Sequence, residues 1–469
     1  MTRLRFEKLS TQRLPLITIG RLALVICLVT AVAFAGDRTI INGSSCKVTE
    51  EDFDLDVCVP CTDCIPPTLQ PADPGGCYHL KDVYLRVDFP DPDSTKPGTH
   101  WRFGLRNDGR TGLRLVDVSV KAAQLDDLKY VIKDAGMADI YVPYDNGSNR
   151  YYDMQFTTPD DLDQVEKADL ASELSSLVYL RRKTSGYYAD DAIPRVGIEC
   201  RDSGFAWSCK NHSNPSEDIR RRLHEVVLWA VSDAGNYDNT IEYRFREDGS
   251  IGFRYGPTGF DSVSHKGISH VHDALWRVST KLFGETTSEV RKFRHVDQHD
   301  GTFSDSEDSV PKETSILWEP LEFTSLIVQS TARENKYGHL MGYEFAPWNR
   351  TGTARQSTDQ WTLNDYYLTN DNPGEDGFGI GSPYDWRVVF HSPDVYLSSF
   401  LNNETLGATG DGVVLWYISS AHHEPSDTDN QPGSGEYTGV TPVHWNGFDM
   451  EPHNFFEYNP VGGPAMCYP

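Results

Sequence analysis

Residues 240–255 read Thr-Ile-Glu-Tyr-Arg-Phe-Arg-Glu-Asp-Gly-Ser-Ile-Gly-Phe-Arg-Tyr, and this stretch decides the fold class. Ile241, Tyr243 and Phe245 alternate with charged neighbours, the two-residue period of a strand with one buried face. Asp248-Gly249 suits the positive φ angles of a tight hairpin turn, and Gly252–Tyr255 supplies the returning strand. Outward from the hairpin, strand signals recur at Val226–Val231, Ile140–Val142, Leu113–Val120 and Val83–Val87. Loops rich in Gly, Pro, Asn and Asp separate them. No repeat of about 20–50 residues runs through the chain, so the expected fold is mainly β, a large antiparallel β-sandwich with few helices, rather than a propeller or a βα fold. One exception is expected: Leu162, Val165, Leu170, Leu174 and Leu177 lie close to a 3.6-residue period and predict a helix over 161–182.

Composition agrees with a large buried core. The apolar share is 38 % in 469 residues, and 38 glycines bring it to about 46 %, within the globular range. Aromatics at 12 % with only 6 methionines favour pleated surfaces. The net charge of −26 disfavours a phosphate backbone as partner, because counterion release rewards Lys and Arg, so no nucleic acid is expected. Disordered tails and polytopic membrane proteins are excluded by the same figures.

The first residues carry Arg3, Arg5, Lys8 and Arg13, then an apolar run from Leu16 that ends in Ala33-Phe34-Ala35. That is the pattern of a secretory signal over 1–35, either cleaved before Gly36 or kept as an uncleaved membrane anchor. A secreted or extracellular location follows. Without Cys27, eight cysteines remain (Cys46, Cys58, Cys61, Cys64, Cys77, Cys200, Cys209 and Cys467), an even count that reads as disulfides in a secreted chain. Cys200 and Cys209 are close enough in sequence to predict a local bridge. Sequons begin at Asn42, Asn146, Asn211, Asn349 and Asn403, consistent with surface glycosylation. Residues 36–76 are rich in Cys, Pro and Asp without an apolar period, and are expected to form a tethered stalk ahead of a main domain over 77–469.

Three groups of residues can carry chemistry. His270-Val271-His272 places two imidazoles on one face of a strand, where they can share a metal ion. A third ligand is available from His422-His423, which follow the apolar run Val413–Ile418. Asp153 follows Tyr151 and Tyr152, and a carboxylate beside aromatics can be raised toward neutrality, as a general base requires.

Gly235-Asn236-Tyr237-Asp238, the hairpin, Gly256-Pro257-Thr258-Gly259 and His270-Val271-His272 occur in that order, and together they resemble the catalytic domain of the copper amine oxidases. Val142-Pro143-Tyr144, Asn335-Lys336-Tyr337-Gly338-His339, His422-His423-Glu424-Pro425 and Asn454-Phe455-Phe456 extend the likeness from about residue 78 to the end. The resemblance implies an oxidase that turns a primary amine, dioxygen and water into an aldehyde, ammonia and hydrogen peroxide, and a homodimer. Its cofactors would be a copper ion and topaquinone derived from Tyr237. His270, His272 and His423 would hold the copper, His423 being preferred because the family's ligand lies two residues before the proline, here Pro425. Asp153 would be the base, Tyr151 the aromatic gate, Tyr144 a hydroxyl bonded to the cofactor and Asn236 the neighbour that restrains its ring. The chain departs from the family pattern at Asp233, at Asn239, where a tyrosine is usual, and at Met154-Gln155-Phe156 after the base. Ser279 and Lys281 stand where the family carries aspartates of a peripheral calcium site, which is therefore expected to be absent or altered. The altered base environment keeps open a second reading, an inactive extracellular structural or adhesive glycoprotein on the same fold.

Overall fold

The computed structural model describes residues 37–462 except 52–56, 59–76, 79–81, 91–96, 109–111, 123–126, 148–149, 154–161, 172–173, 185–186, 210–218, 262–264, 320–321, 323, 349–359, 373–396, 409–411 and 427–439. The signal-like segment 1–35, Cys61, Cys64, Cys467 and the sequons at Asn211 and Asn349 lie outside the described residues. Among the described residues no helix is long and apolar enough to cross a membrane.

Two antiparallel layers hold nearly every strand. The first runs β1 (Arg38–Asn42), β2 (Lys47–Glu51), β5 (Val83–Pro90), β6 (Pro97–Asp108), β7 (Gly112–Lys121), β8 (Lys129–Pro143), β15 (His270–Thr280), β22 (Val413–His423), β21 (Tyr366–Asn370) and β18 (Thr314–Ile316), with β9 (Arg150–Tyr152) on the end of β8. The second runs β10 (Ser175–Thr184), β11 (Tyr187–Cys209), β12 (Ile219–Asp233), β13 (Tyr237–Arg246), β14 (Ile251–Gly259), β23 (Asn446–His453), β20 (Leu340–Pro347), β19 (Ser325–Glu334), β16 (Ser288–Asp297) and β17 (Phe303–Val310). A short parallel contact, Arg182 and Lys183 with Asn107 and Asp108, joins β10 to β6. β3 (Val57–Cys58) and β4 (Cys77–Tyr78) form a separate two-stranded ribbon.

The inner faces interdigitate, as alternation along each strand requires. Trp276 on β15 meets Tyr243, Phe253 and Phe448 of the other layer edge-on, at 6.3, 5.8 and 6.0 Å between ring centroids. Tyr243 Oη crosses the gap to donate to the Leu113 carbonyl at 2.6 Å. Truncating a ring buried in this way costs about 3–5 kcal/mol. β15 is buried along its whole length, because its second face is covered too. Leu275 packs there with Tyr141, Tyr367, Leu397, Phe400, Val414, Trp416 and Ile418 in a second apolar cluster. A strand covered on both faces is a rigid place to mount ligands.

The hairpin forms as read, with one difference in its turn. Phe245 pairs with Ile251 across Arg246, Glu247, Asp248, Gly249 and Ser250. Only Gly249 takes a positive φ, 88°, so this is a longer loop closed by one left-handed glycine rather than a two-residue turn.

Three expectations fail. The helix over 161–182 is replaced by a short 3₁₀ turn, Lys167–Asp169, and by strand β10. Val178 and Leu180 are buried while Tyr179 between them is exposed, a two-residue period that pairing with β11 satisfies and a helix would not. The segment 36–76 is not wholly a stalk, since β2 pairs with β5 from Lys47↔Asp88 to Glu51↔Tyr84. Nor do Cys200 and Cys209 bridge each other. They lie nine residues apart on one extended strand, β11, roughly 30 Å apart at the rise of a strand, far beyond disulfide reach. Cys200 is bonded to Cys46 instead, across 154 residues of sequence, and Cys209 is also in a disulfide.

Closing so long a loop restricts the unfolded chain. The paired Cys46→Ala and Cys200→Ala substitutions are expected to lower unfolding stability by about 3–5 kcal/mol, read by denaturant titration. A loss below about 1 kcal/mol would mean that β1 and β2 are held by sheet pairing alone.

Candidate metal centre

The centre lies where the end of β22 and the start of β15 face the start of β13. His270 and His423 are direct cross-strand partners, and His272, two residues along β15, shares their face. All three are buried. His422, one residue before His423, points the other way; its side chain is nearly half exposed, 3.8 Å from Asp145. The alternation of the strand thus separates the two adjacent histidines, and only His423 reaches the triad.

One nitrogen from each of His270, His272 and His423 lies within 4.8 Å of the others. Each ring is approached from behind by an oxygen. His270 Nδ1 lies 3.0 Å from the Ile268 carbonyl, which can only accept, so Nδ1 carries the proton and Nε2 a lone pair. His423 Nε2 lies 3.4 Å from Thr441 Oγ1, while its Nδ1 faces His270 Nε2 at 3.2 Å. His272 Nε2 is buried and has no hydrogen-bond partner.

Burial lowers the pKa of His270 to about 4 and that of His272 well below its ordinary value, with the neighbouring histidines adding to both shifts. Neutral imidazoles whose lone pairs converge, one of them on an orphaned nitrogen, are what a divalent transition-metal ion requires. The residues therefore fit a bound copper ion.

Tyr237 enters from the opposite layer. Its Oη lies 2.8 Å from His423 Nδ1, 3.0 Å from His270 Nε2 and 3.4 Å from Asp261 Oδ1. One hydroxyl proton cannot serve all of these acceptors. The β13–β14 register brings Gly259 over Tyr237. At Gly259, with φ 138°, a Cβ would lie 2.3 Å from the Asn236 carbonyl and 2.7 Å from Tyr237 Cα, so only glycine allows this approach. Asn236 donates from Nδ2 to the Phe260 carbonyl at 2.9 Å, which fixes the backbone beside Tyr237.

Tyr144 stacks on the His270 ring at 4.5 Å and meets Tyr151 edge-on at 5.9 Å. Tyr151 Oη lies 3.5 Å from His265 Nε2. Asp153 is buried at the end of β9, and burial raises its carboxyl from the usual 3.8 to about 7. Its charge in turn raises the hydroxyls of Tyr144 and Tyr255, in both cases after burial itself. The residues after it, Met154-Gln155-Phe156, lie outside the described residues.

Sequence reading missed Asp261, Thr441 and Tyr255 around the triad. Tyr255 had only the signal of a core aromatic, alternating with Ile251 and Phe253. Ser279 donates to Asp371 Oδ2 at 2.7 Å, and that carboxylate is also held by Lys133 at 2.7 Å and Arg277 at 2.9 Å.

A sandwich that mounts a buried imidazole triad against a tyrosine hydroxyl presents a candidate metal centre with a phenol beside it. The chain belongs to the copper amine oxidase family: residues 99–463 match the model described as copper amine oxidase, enzyme domain. It is similar to primary amine oxidase 2 of Arabidopsis thaliana, at 22 % identity over 407 residues, 78 % of this chain and 58 % of that protein. It is likewise similar to the primary amine oxidase of Klebsiella aerogenes, at 21 % over 423 residues, 78 % of this chain and 52 % of that one. The chain thus spans a little over half the length of the curated relatives it matches. Its fold is that of the copper-containing benzylamine oxidase from Hansenula polymorpha, with a TM-score of 0.60 at 13 % identity over 95 % of this chain and 82 % of that one. The Pichia pastoris lysyl oxidase gives 0.56 at 17 %, over 77 % and 52 %.

Proposed function

We propose that this protein is a secreted copper- and topaquinone-dependent primary-amine oxidase that converts a primary amine, dioxygen and water into an aldehyde, ammonia and hydrogen peroxide. The observation that supports it most is the Tyr237 hydroxyl lying within hydrogen-bond distance of both His270 Nε2 and His423 Nδ1. Copper held by His270, His272 and His423 would supply the redox chemistry, and the quinone derived from Tyr237 the electrophilic carbonyl and electron sink.

The chain's own residues then have distinct tasks. Asp153 accepts the proton from the substrate's α-carbon, a transfer that suits a carboxyl raised toward neutrality. Tyr144, packed on His270, offers its hydroxyl to the cofactor. Tyr151 closes over it as an aromatic gate, and Asn236 restrains the ring from the side. A homodimer, a glycosylated surface and export through the N-terminal segment complete the reading, with Asn42, Asn146 and Asn403 all exposed.

The experiment is a visible spectrum of the full chain, supplied with copper under air, before and after phenylhydrazine. A broad quinone band that shifts on adduct formation is expected, and it should be absent from Tyr237→Phe while copper stays bound. Stoichiometric copper without a band in the native chain would favour the inactive structural reading. Labelling that persists in Tyr237→Phe would overturn the cofactor assignment.

A further inference from the structure

His270 has a backbone carbonyl to hold its tautomer, whereas His272 depends on a side chain. Tyr255 and Asn239 lie diagonally across the β13–β14 pairing, Asn239 opposite Pro257 and Tyr255 opposite Ile241. Both are fully buried. Tyr255 Oη donates to Asn239 Oδ1 at 2.8 Å and lies 3.4 Å from His272 Nδ1.

A phenol has one proton. Because it is given to Asn239, the oxygen faces His272 with a lone pair and can only accept, which puts the imidazole proton on Nδ1. Nε2 is thereby left with its lone pair, and this is the nitrogen that is buried without a partner. Were the phenol proton turned toward His272, Nε2 would carry hydrogen and repel a metal. Asn239 stands where the family resemblance leads one to expect a tyrosine, and here the neighbouring strand brings a phenol to its side.

We propose that Tyr255, oriented by Asn239, is the positioning residue that sets the tautomer of His272 and with it the affinity of the triad for copper. This deepens the copper reading above and rests on it. Partners behind a ligating imidazole typically change metal affinity 10- to 100-fold when removed.

The test is an anaerobic copper(II) titration of the metal-stripped full chain against a competing chelator, with Tyr237 still unmodified. Tyr255→Phe is expected to bind copper about 10- to 100-fold more weakly. Asn239→Leu, which frees the phenol proton, should do the same, while Asn239→Asp keeps an acceptor and should stay near the native affinity. Pulsed electron-spin resonance of the copper-loaded protein should show the remote nitrogen of one imidazole altered in Tyr255→Phe, a signature that a purely structural role would not move. Native affinity and unchanged nitrogens in both Tyr255→Phe and Asn239→Leu would overturn the proposal. If Tyr255→Phe does not fold, equal affinities of Asn239→Leu and Asn239→Asp overturn it. A native chain that binds no copper would instead refute the copper reading itself.

Discussion

His423→Ala is expected to abolish stoichiometric copper binding, and His422→Ala to leave it intact, although the two residues are adjacent. The strand sends successive side chains to opposite faces: His423 is buried against His270 and Tyr237, and His422 is exposed beside Asp145. Removing a partner behind a ligand already costs about 10- to 100-fold in affinity, so loss of the ligand itself should exceed about 100-fold. An exposed substitution away from any buried network changes stability by no more than about 0.5 kcal/mol, roughly a factor of two in an equilibrium. Copper per chain, measured after dialysis against a weak chelator, separates the two variants. The quinone band should follow copper, absent from His423→Ala and present in His422→Ala. Copper retained by His423→Ala, or lost from His422→Ala, would exchange their roles and require β22 to be rotated by one residue.

The same alternation explains how much of this architecture was legible in the sequence. Wherever a strand has one buried face its period is visible, as in Ile241, Tyr243 and Phe245, and there the expected strands form with longer ends. The His-x-His pair on β15 is legible although that strand is buried on both faces, because residues two apart on any strand share a face. Position 423 needed the family's proline spacing, because alternation alone cannot say which of two adjacent residues faces the core.

The failures have a common cause in strand pairing, which the period within one segment does not reveal. β10 is a strand because β11 lies beside it, while its leucines, spaced unevenly, also satisfy a helical period. Cys200 finds Cys46 only because β1 and β2 fold onto the sheet. Tyr255 is more than a core aromatic because β14 sets its hydroxyl between Asn239 and His272. Contacts of this kind depend on register, and register is set by which strands become neighbours.

Asp153→Asn should combine the second large loss of activity with a gain in stability, and both effects should grow as pH rises toward 7, because native activity rises with pH while native stability falls. A base must be ionised to accept a proton, so native kcat/KM is expected to rise with pH through about 7, the value to which burial raises this carboxyl. Asn cannot accept the proton, and the amide variant should lose about 100- to 10 000-fold in turnover while its quinone band and phenylhydrazine reaction remain.

Stability runs the other way. Between the ordinary 3.8 and about 7 the folded chain holds a proton at Asp153 that the unfolded chain has released. Native stability therefore falls as pH rises across that window and is constant above it. The full penalty at neutral pH is about 4 kcal/mol. Asp153→Asn removes the buried charge, so its stability relative to native should increase from pH 4 to pH 7 and then level off, measured as the difference in denaturant unfolding at each pH. A difference that does not change with pH would show that Asp153 keeps its carboxylate solvated in the folded chain. In that case the carboxyl is not raised, and its assignment as the base would lose its physical ground even if the amide variant were inactive.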